Sequence, residues 1–201
     1  MRMKIIGLLG GVASGKSLVA EQFRRLGAAV LDADRIGHEV LLLPEVREAI
    51  HKHFGDKVFR SDGEVDRKAL GRIVFALPPA GPRALTFLEQ LSHPKIRRRL
   101  RDEVEQMARN GVPATVLDAP VMLKAGWDKL CDVVIYIDAP DETRLKRAMS
   151  RGWTAEEFAA REAAQDSLDL KKQRADFVVD NSASEEYTQQ QVERLWRSLI
   201  G

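Results

Sequence analysis

The sequence predicts an α/β fold: a five-stranded parallel sheet with helices on both faces. Three observations carry that expectation. Short apolar runs at 4–9, 28–32, 114–118, 132–138 and 176–180 alternate with helical patterns, the order that builds a parallel sheet covered on both sides. The first run leads into Gly10-Gly11-Val12-Ala13-Ser14-Gly15-Lys16-Ser17, a G-x-x-x-x-G-K-S string. Aspartates then gather at the carboxyl ends of the runs, at Asp32, Asp118, Asp138 and Asp180, where open α/β sheets bind their ligands. Together these define the P-loop NTPase type. It is predicted here as one domain over residues 1–201, with a helical insertion for an acceptor and a helical lid.

Each element has a local reason. Lys4-Ile5-Ile6-Gly7-Leu8-Leu9 has strand character, and after the glycine-rich loop Val19, Phe23 and Leu26 recur as one helix face before Gly27 stops it. Glycines let successive backbone amides turn inward around a phosphate, and the helix start near Lys16 adds its positive end. Lys16 then reaches the β- and γ-phosphates and the Ser17 hydroxyl sits on Mg²⁺. Residues 11–18 (Gly11, Val12, Ala13, Ser14, Gly15, Lys16, Ser17 and Leu18) form the expected ATP-binding loop.

The second run delivers Asp32-Ala33-Asp34. The stretch before the third run is too long for one crossover helix. It holds helical patterns at 44–54 closed by Gly55, at 66–76, at 82–92, and at 94–110 closed by Gly111. Residues 35–111 are therefore predicted to be the insertion, leaving 1–34, 112–140 and 176–201 as the nucleotide-binding core. Residues 141–175 carry Arg144, Lys146, Arg147, Arg151 and Arg161 on two helical stretches joined near Gly152. Arg144, Arg147 and Arg151 share one face, either a solvated surface or a mobile arginine lid over a triphosphate. Val192, Leu195, Trp196 and Leu199 give the closing helix an apolar face.

Composition narrows the function classes. Of 201 residues, 44% are hydrophobic, enough for a sizeable core, and 32 basic against 30 acidic side chains leave a net charge of only +2. The basic run Lys95–Arg101 passes straight into Asp102, Glu103 and Glu105, which reads as a solvated helix, so no nucleic-acid partner is expected. Cys131 is the only cysteine, excluding intramolecular disulfides and thiolate metal cages, and packing is its default role. The N-terminal apolar stretch is too short for a signal peptide and nothing approaches a membrane span, so a cytoplasmic protein without a membrane partner is expected.

Phosphoryl transfer needs positioned phosphates, magnesium and an oriented nucleophile. Asp32 and Asp34 lie two apart, so on an extended strand end both project to one side. One of them then accepts a proton from a substrate hydroxyl while the other holds a magnesium-bound water. Asp118 competes with Asp32 for the magnesium role. A regulatory GTPase is disfavoured, since Asp118-Ala119-Pro120-Val121 lacks the glycine of D-x-x-G and no N-K-x-D occurs. Other small-molecule kinases of this architecture, acting on a nucleoside, a nucleotide or shikimate, remain alternatives.

The chain resembles the dephospho-coenzyme A kinase family through several segments at once. Asp32-Ala33-Asp34-Arg35-Ile36 with Val40 is similar to its D-A-D-x-I-x-x-x-V segment. Phe54-Gly55 with Gly63-Glu64-Val65-Asp66-Arg67-Lys68-Ala69-Leu70 follows a second stretch, and His93-Pro94-Lys95-Ile96-Arg97 its H-P-x-I-R. Leu145-Lys146-Arg147 with Arg151, then Arg161 with Gln165, Lys172, and Ala175-Asp176 through Asn181 complete the likeness. The resemblance implies transfer of the ATP γ-phosphate, with Mg²⁺, to the ribose 3′-hydroxyl of dephospho-coenzyme A. By the same resemblance Asp34 is the base and Asp32 its magnesium-side partner. Arg147 and Arg151 match lid arginines, and Asn181 falls near the adenine. His93, Pro94 and Arg97, with Arg151 and Arg161, border the acceptor. Three positions depart from the pattern: Ala13 stands in place of glycine, Leu18 in place of threonine, and Lys124 in place of a glutamate.

Overall fold

The computed structural model describes residues 2–201. Five strands, β1 (Lys4–Gly10), β2 (Ala29–Asp32), β3 (Ala114–Asp118), β4 (Val133–Asp138) and β5 (Phe177–Asp180), form one sheet in the order β2-β3-β1-β4-β5. Every pairing is parallel, so all carboxyl ends lie along one edge. The chain divides into two compact units, one holding the sheet (residues up to Asp32 and Glu103–Gly201) and the other spanning Ala33–Asp102.

In the sheet unit, alternation along the central strand sorts side chains onto two faces. Ile6 and Leu8 join Val116, Ile135, Ile137 and Val179 on one face. Val19 and Phe23 of α1 (Lys16–Arg25) and Val192 of α9 (Glu185–Ile200) close over them. Each fully buried Val, Leu, Ile or Phe here contributes roughly 1.5–3 kcal/mol of transfer free energy. On the other face Thr115 meets Met3 and Met107, the latter in the last turns of α5 (Ala80–Arg109). Gly7 lies where an added Cβ would stand 2.8 Å from Cys131 Sγ and 2.9 Å from Met122 Sδ. No helix among the described residues is long and apolar enough to cross a membrane.

Between β4 and β5 the expectation of two helices is corrected to three: α6 (Asp141–Ser150), α7 (Ala155–Ala163) and α8 (Leu168–Gln173). Gly152, at φ +85°, turns the chain between the first two as anticipated. The third is a short helix started by Ser167, whose hydroxyl accepts from the Leu170 amide, too brief for a periodic signal.

The second unit is helical. α2 (Ala33–Leu41), α3 (Pro44–Phe54), α4 (Arg67–Val74) and the first part of α5 bury Ile36, Val40, Val46, Ile50, Phe54, Leu70, Ile96 and Leu100. Two expectations fail here. The patterns at 82–92 and 94–110 are one helix running through Pro94. Proline removes one backbone bond, but Ser92, Ile96 and Leu100 fall on one buried stripe across it, and that packing carries the helix through. Asp32 and Asp34 also do not share an extended strand end. Asp32 closes β2, whereas Asp34 sits in the first turn of α2, which starts at Ala33 because Ala33, Ile36 and Val40 supply a buried face.

Candidate active site

The loop between Gly10, the last residue of β1, and Lys16, the first of α1, is held by its carbonyls. That of Gly10 accepts from Lys171 Nζ at 3.3 Å, that of Val12 from Arg144 Nη1 at 3.2 Å, and that of Ser14 from Asn181 Nδ2 at 2.7 Å and Arg147 Nη1 at 3.2 Å. In a planar trans peptide the N–H points opposite its carbonyl. Turning the carbonyls of Val12 and Ser14 inward therefore turns the amides of Ala13 and Gly15 outward, the concave arrangement that receives an anion. α1 begins on Gly15 with no side-chain cap, so its first-turn amides serve the same concavity.

Two glycines are required by close approach. At Gly15, φ +104°, an added Cβ would lie 2.0 Å from Asn181 Nδ2, and at Gly11 it would lie 2.4 Å from Arg144 Nη1. Ala13 takes φ +58° without being glycine, a left-handed conformation that costs an L-residue about 1–2 kcal/mol.

The Val12 peptide is gripped at both ends. Glu162 of α7 accepts the Val12 amide at 2.8 Å through Oε1, and its Oε2 pairs with Arg144 Nη1 at 2.6 Å. Arg144, only 1% exposed, also pairs with Asp141 at 2.6 Å. Burial opposes its charge, but the hydrogen bonds it donates to Asp141 and Glu162 outweigh burial and raise the guanidinium pKa above its ordinary value. Arg144 and Glu162 were not legible as loop-holding residues; the sequence showed only a charged helix face.

Arg147 lies on the loop, donating to the Ser14 and Asn181 carbonyls. Asn181 is buried, its amide on Ser14 and its Oδ1 accepting from Thr188. Lys16 Nζ lies 3.5 and 3.4 Å from the Gly10 and Gly11 carbonyls. Of the two adjacent lysines in α8, Lys171 is the one buried against the loop, whereas Lys172 is exposed and pairs with Asp138 at 3.2 Å.

Asp32 and Asp118 are register partners at the ends of β2 and β3. Two neighbouring carboxylates and the exposed hydroxyl of Ser17 are hard oxygen donors, the set that suits magnesium when phosphate and water complete its shell.

A family model described as dephospho-CoA kinase matches residues 4–186. The chain belongs to the dephospho-CoA kinase family. A dephospho-CoA kinase of Symbiobacterium thermophilum is 48% identical over 99% of this chain and 82% of that protein. The crystal structure of TT1252 from Thermus thermophilus superposes with a TM-score of 0.84 at 33% identity, covering 100% of both chains. A dephospho-CoA kinase from Campylobacter jejuni gives a TM-score of 0.65 at 27% identity over 98% of each chain.

The remaining residues suggested by the dephospho-CoA kinase resemblance are divided between the two units. In the helical unit, Asp34 is exposed on α2, while His93 and Arg97 are half-buried one turn apart on α5 with Pro94 exposed between them. Arg97 keeps its Nε buried without a hydrogen-bond partner. In the sheet unit, Arg161 stacks on the Trp153 ring at 4.2 Å, and Arg151 is exposed just past the end of α6.

Proposed function

We propose that this chain transfers the γ-phosphoryl group of ATP to the ribose 3′-hydroxyl of dephospho-coenzyme A, giving coenzyme A and ADP. The observation that carries the reading is the phosphate loop, with its carbonyls bound by Lys171, Arg144, Arg147 and Asn181 and its amides turned outward, in a chain whose relatives are dephospho-CoA kinases over nearly full length.

The loop amides and the first turn of α1 hold the β- and γ-phosphates, and Lys16 leaves the Gly10 and Gly11 carbonyls to follow the charge on the moving group. Asp34 takes the proton of the 3′-hydroxyl as its oxygen bonds to the γ-phosphorus and the bond to the β,γ-bridging oxygen breaks. Arg147 adds a planar donor fork at the loop. Arg151 and Arg161 from the lid, with His93, Pro94 and Arg97 from the insertion, orient the acceptor. Ser17 and Asp32, with Asp118 beside it, would hold Mg²⁺, which when bound neutralises phosphate charge. We propose a cytoplasmic reaction on these small molecules, with neither nucleic acid nor membrane as a partner.

The test is a rate comparison on purified protein with ATP, Mg²⁺ and a panel of acceptors: dephospho-coenzyme A, a nucleoside, a nucleotide and shikimate. Dephospho-coenzyme A should be preferred, with the new phosphate at the 3′ position by mass spectrometry and ³¹P NMR. Equal rates on another acceptor, or phosphate on a different hydroxyl, would refute the assignment.

A further inference from the structure

We infer that Lys171 is a positioning residue for the phosphoryl donor: its buried ammonium fixes the Gly10 carbonyl and stands behind the loop as a second cation for the triphosphate. The inference rests on ATP being the donor, as proposed above, and adds a residue to that site.

The geometry is unusual for a lysine. Lys171 is 2% exposed, and its Nζ is held by two neutral oxygens, the Gly10 carbonyl at 3.3 Å and Gln165 Oε1 at 2.7 Å. No described carboxylate forms an ion pair with it. A buried ammonium without a counter-charge is costly on its own. The carbonyl it holds also faces Lys16 Nζ at 3.5 Å, so two ammonium groups converge on one backbone oxygen at the base of an anion-binding loop. An arriving triphosphate supplies the counter-charge that Lys171 lacks. Gln165 precedes α8 and Lys171 lies within it, so the two contacts of this ammonium tie α8 and the link before it to the end of the central strand.

The charges around Lys171 leave burial in command. Lys16 from α1 and Arg144 from α6 oppose its charge, while Glu162 from α7 and Asp166 from the α7–α8 link favour it. Burial and then Lys16 push its pKa down to about 8. Bound triphosphate favours the charged form and raises that value. Above about pH 8 the free protein then carries less charge at Lys171 than the bound one, so binding takes up a proton and weakens as pH rises.

The experiment is calorimetric titration of Mg·ATP into the purified chain from about pH 7 to about pH 9.5, in buffers of different ionisation enthalpy. The wild type should take up protons above about pH 8 and lose affinity with rising pH. Lys171→Met should bind about tenfold more weakly near pH 7 and show neither effect. Lys171→Arg, whose charge does not titrate, should bind well and be flat across the range. Wild-type affinity together with a wild-type pH profile in Lys171→Met overturns the inference. Should Lys171→Met fail to fold, Gln165→Glu serves instead: a carboxylate on the ammonium holds it charged, so the pH dependence should vanish from this window, and an unchanged profile overturns the inference. Since binding of Mg·ATP is read directly, a wrong acceptor assignment would leave this result standing, and the two failures are distinguishable.

Discussion

Replacing Glu162 with Gln removes one charge and changes little else. The variant keeps an oxygen for the Val12 amide, 2.8 Å away in the wild type, but leaves Arg144 with only Asp141 as a charged partner. Breaking a buried ion pair from one side costs about 3–5 kcal/mol. Glu162 is 22% exposed and Asp141 remains, so the expected loss is nearer about 2–3 kcal/mol. At about 2–4 °C per kcal/mol for a chain of this size, the melting temperature should fall by about 4–12 °C. Glu162→Ala should be worse, since it also strands the Val12 amide, a further loss of about 1–3 kcal/mol. Adding Arg144→Met to Glu162→Gln removes the orphaned charge, so the double variant should lose less than the two singles added together. Urea denaturation followed by tryptophan fluorescence reads this well, because Trp127 is 2% exposed. ATP affinity should fall in step, because the Val12 peptide is part of the loop. An unchanged urea midpoint in Glu162→Gln, or strict additivity in the double variant, would refute the reasoning.

Other expectations follow from the same geometry. Asp34→Asn should lower turnover by ~10²–10⁴-fold with little change in Mg·ATP affinity, while Asp32→Asn should raise the Mg²⁺ concentration for half-maximal rate; rescue of the Asp34 variant by excess Mg²⁺ would show the two roles reversed. Lys16→Ala should abolish measurable turnover with the circular dichroism spectrum and melting curve retained. Ala13→Gly relieves the φ +58° conformation, and after the entropy cost of glycine the chain should gain up to about 1 kcal/mol in urea denaturation; a loss of that size would contradict it. Burial, then Asp128 and Asp132, push the Cys131 thiol up to about 12, so alkylation by iodoacetamide at about pH 8 should be slow until the protein unfolds.

What the sequence made legible was local. Each strand is an apolar run bounded by turn or cap residues, and the phosphate loop is a contiguous string whose chemistry is written in its spacing. What it hid depended on partners distant in the chain. Glu162 and Val12 meet across 150 positions, and Asn181 and Ser14 across 167; nothing in either neighbourhood marks the pair. Pro94 misled because its local rule is to stop a helix, and buried residues on both sides overrule it. Asp34 misled in the opposite sense, since the pattern D-x-D suits a strand end while the apolar spacing beginning at Ala33 already specified a helix. Lys171 and Lys172 are indistinguishable as letters, and only the turn of α8 decides which one is buried.

The strand order also bears on how the chain is made. β1 and β2 are synthesised before the other three strands of this sheet, yet they are not neighbours: β3 lies between them and pairs with both. A nascent chain therefore carries two apolar strands with unfilled edges through all the helical residues that follow, and no sheet forms until residues 114–118 have left the ribosome. The helical unit Ala33–Asp102 is complete before then, so it can fold while the catalytic sheet is still waiting. During that interval the phosphate-loop strand is at its most exposed to chaperones and to aggregation.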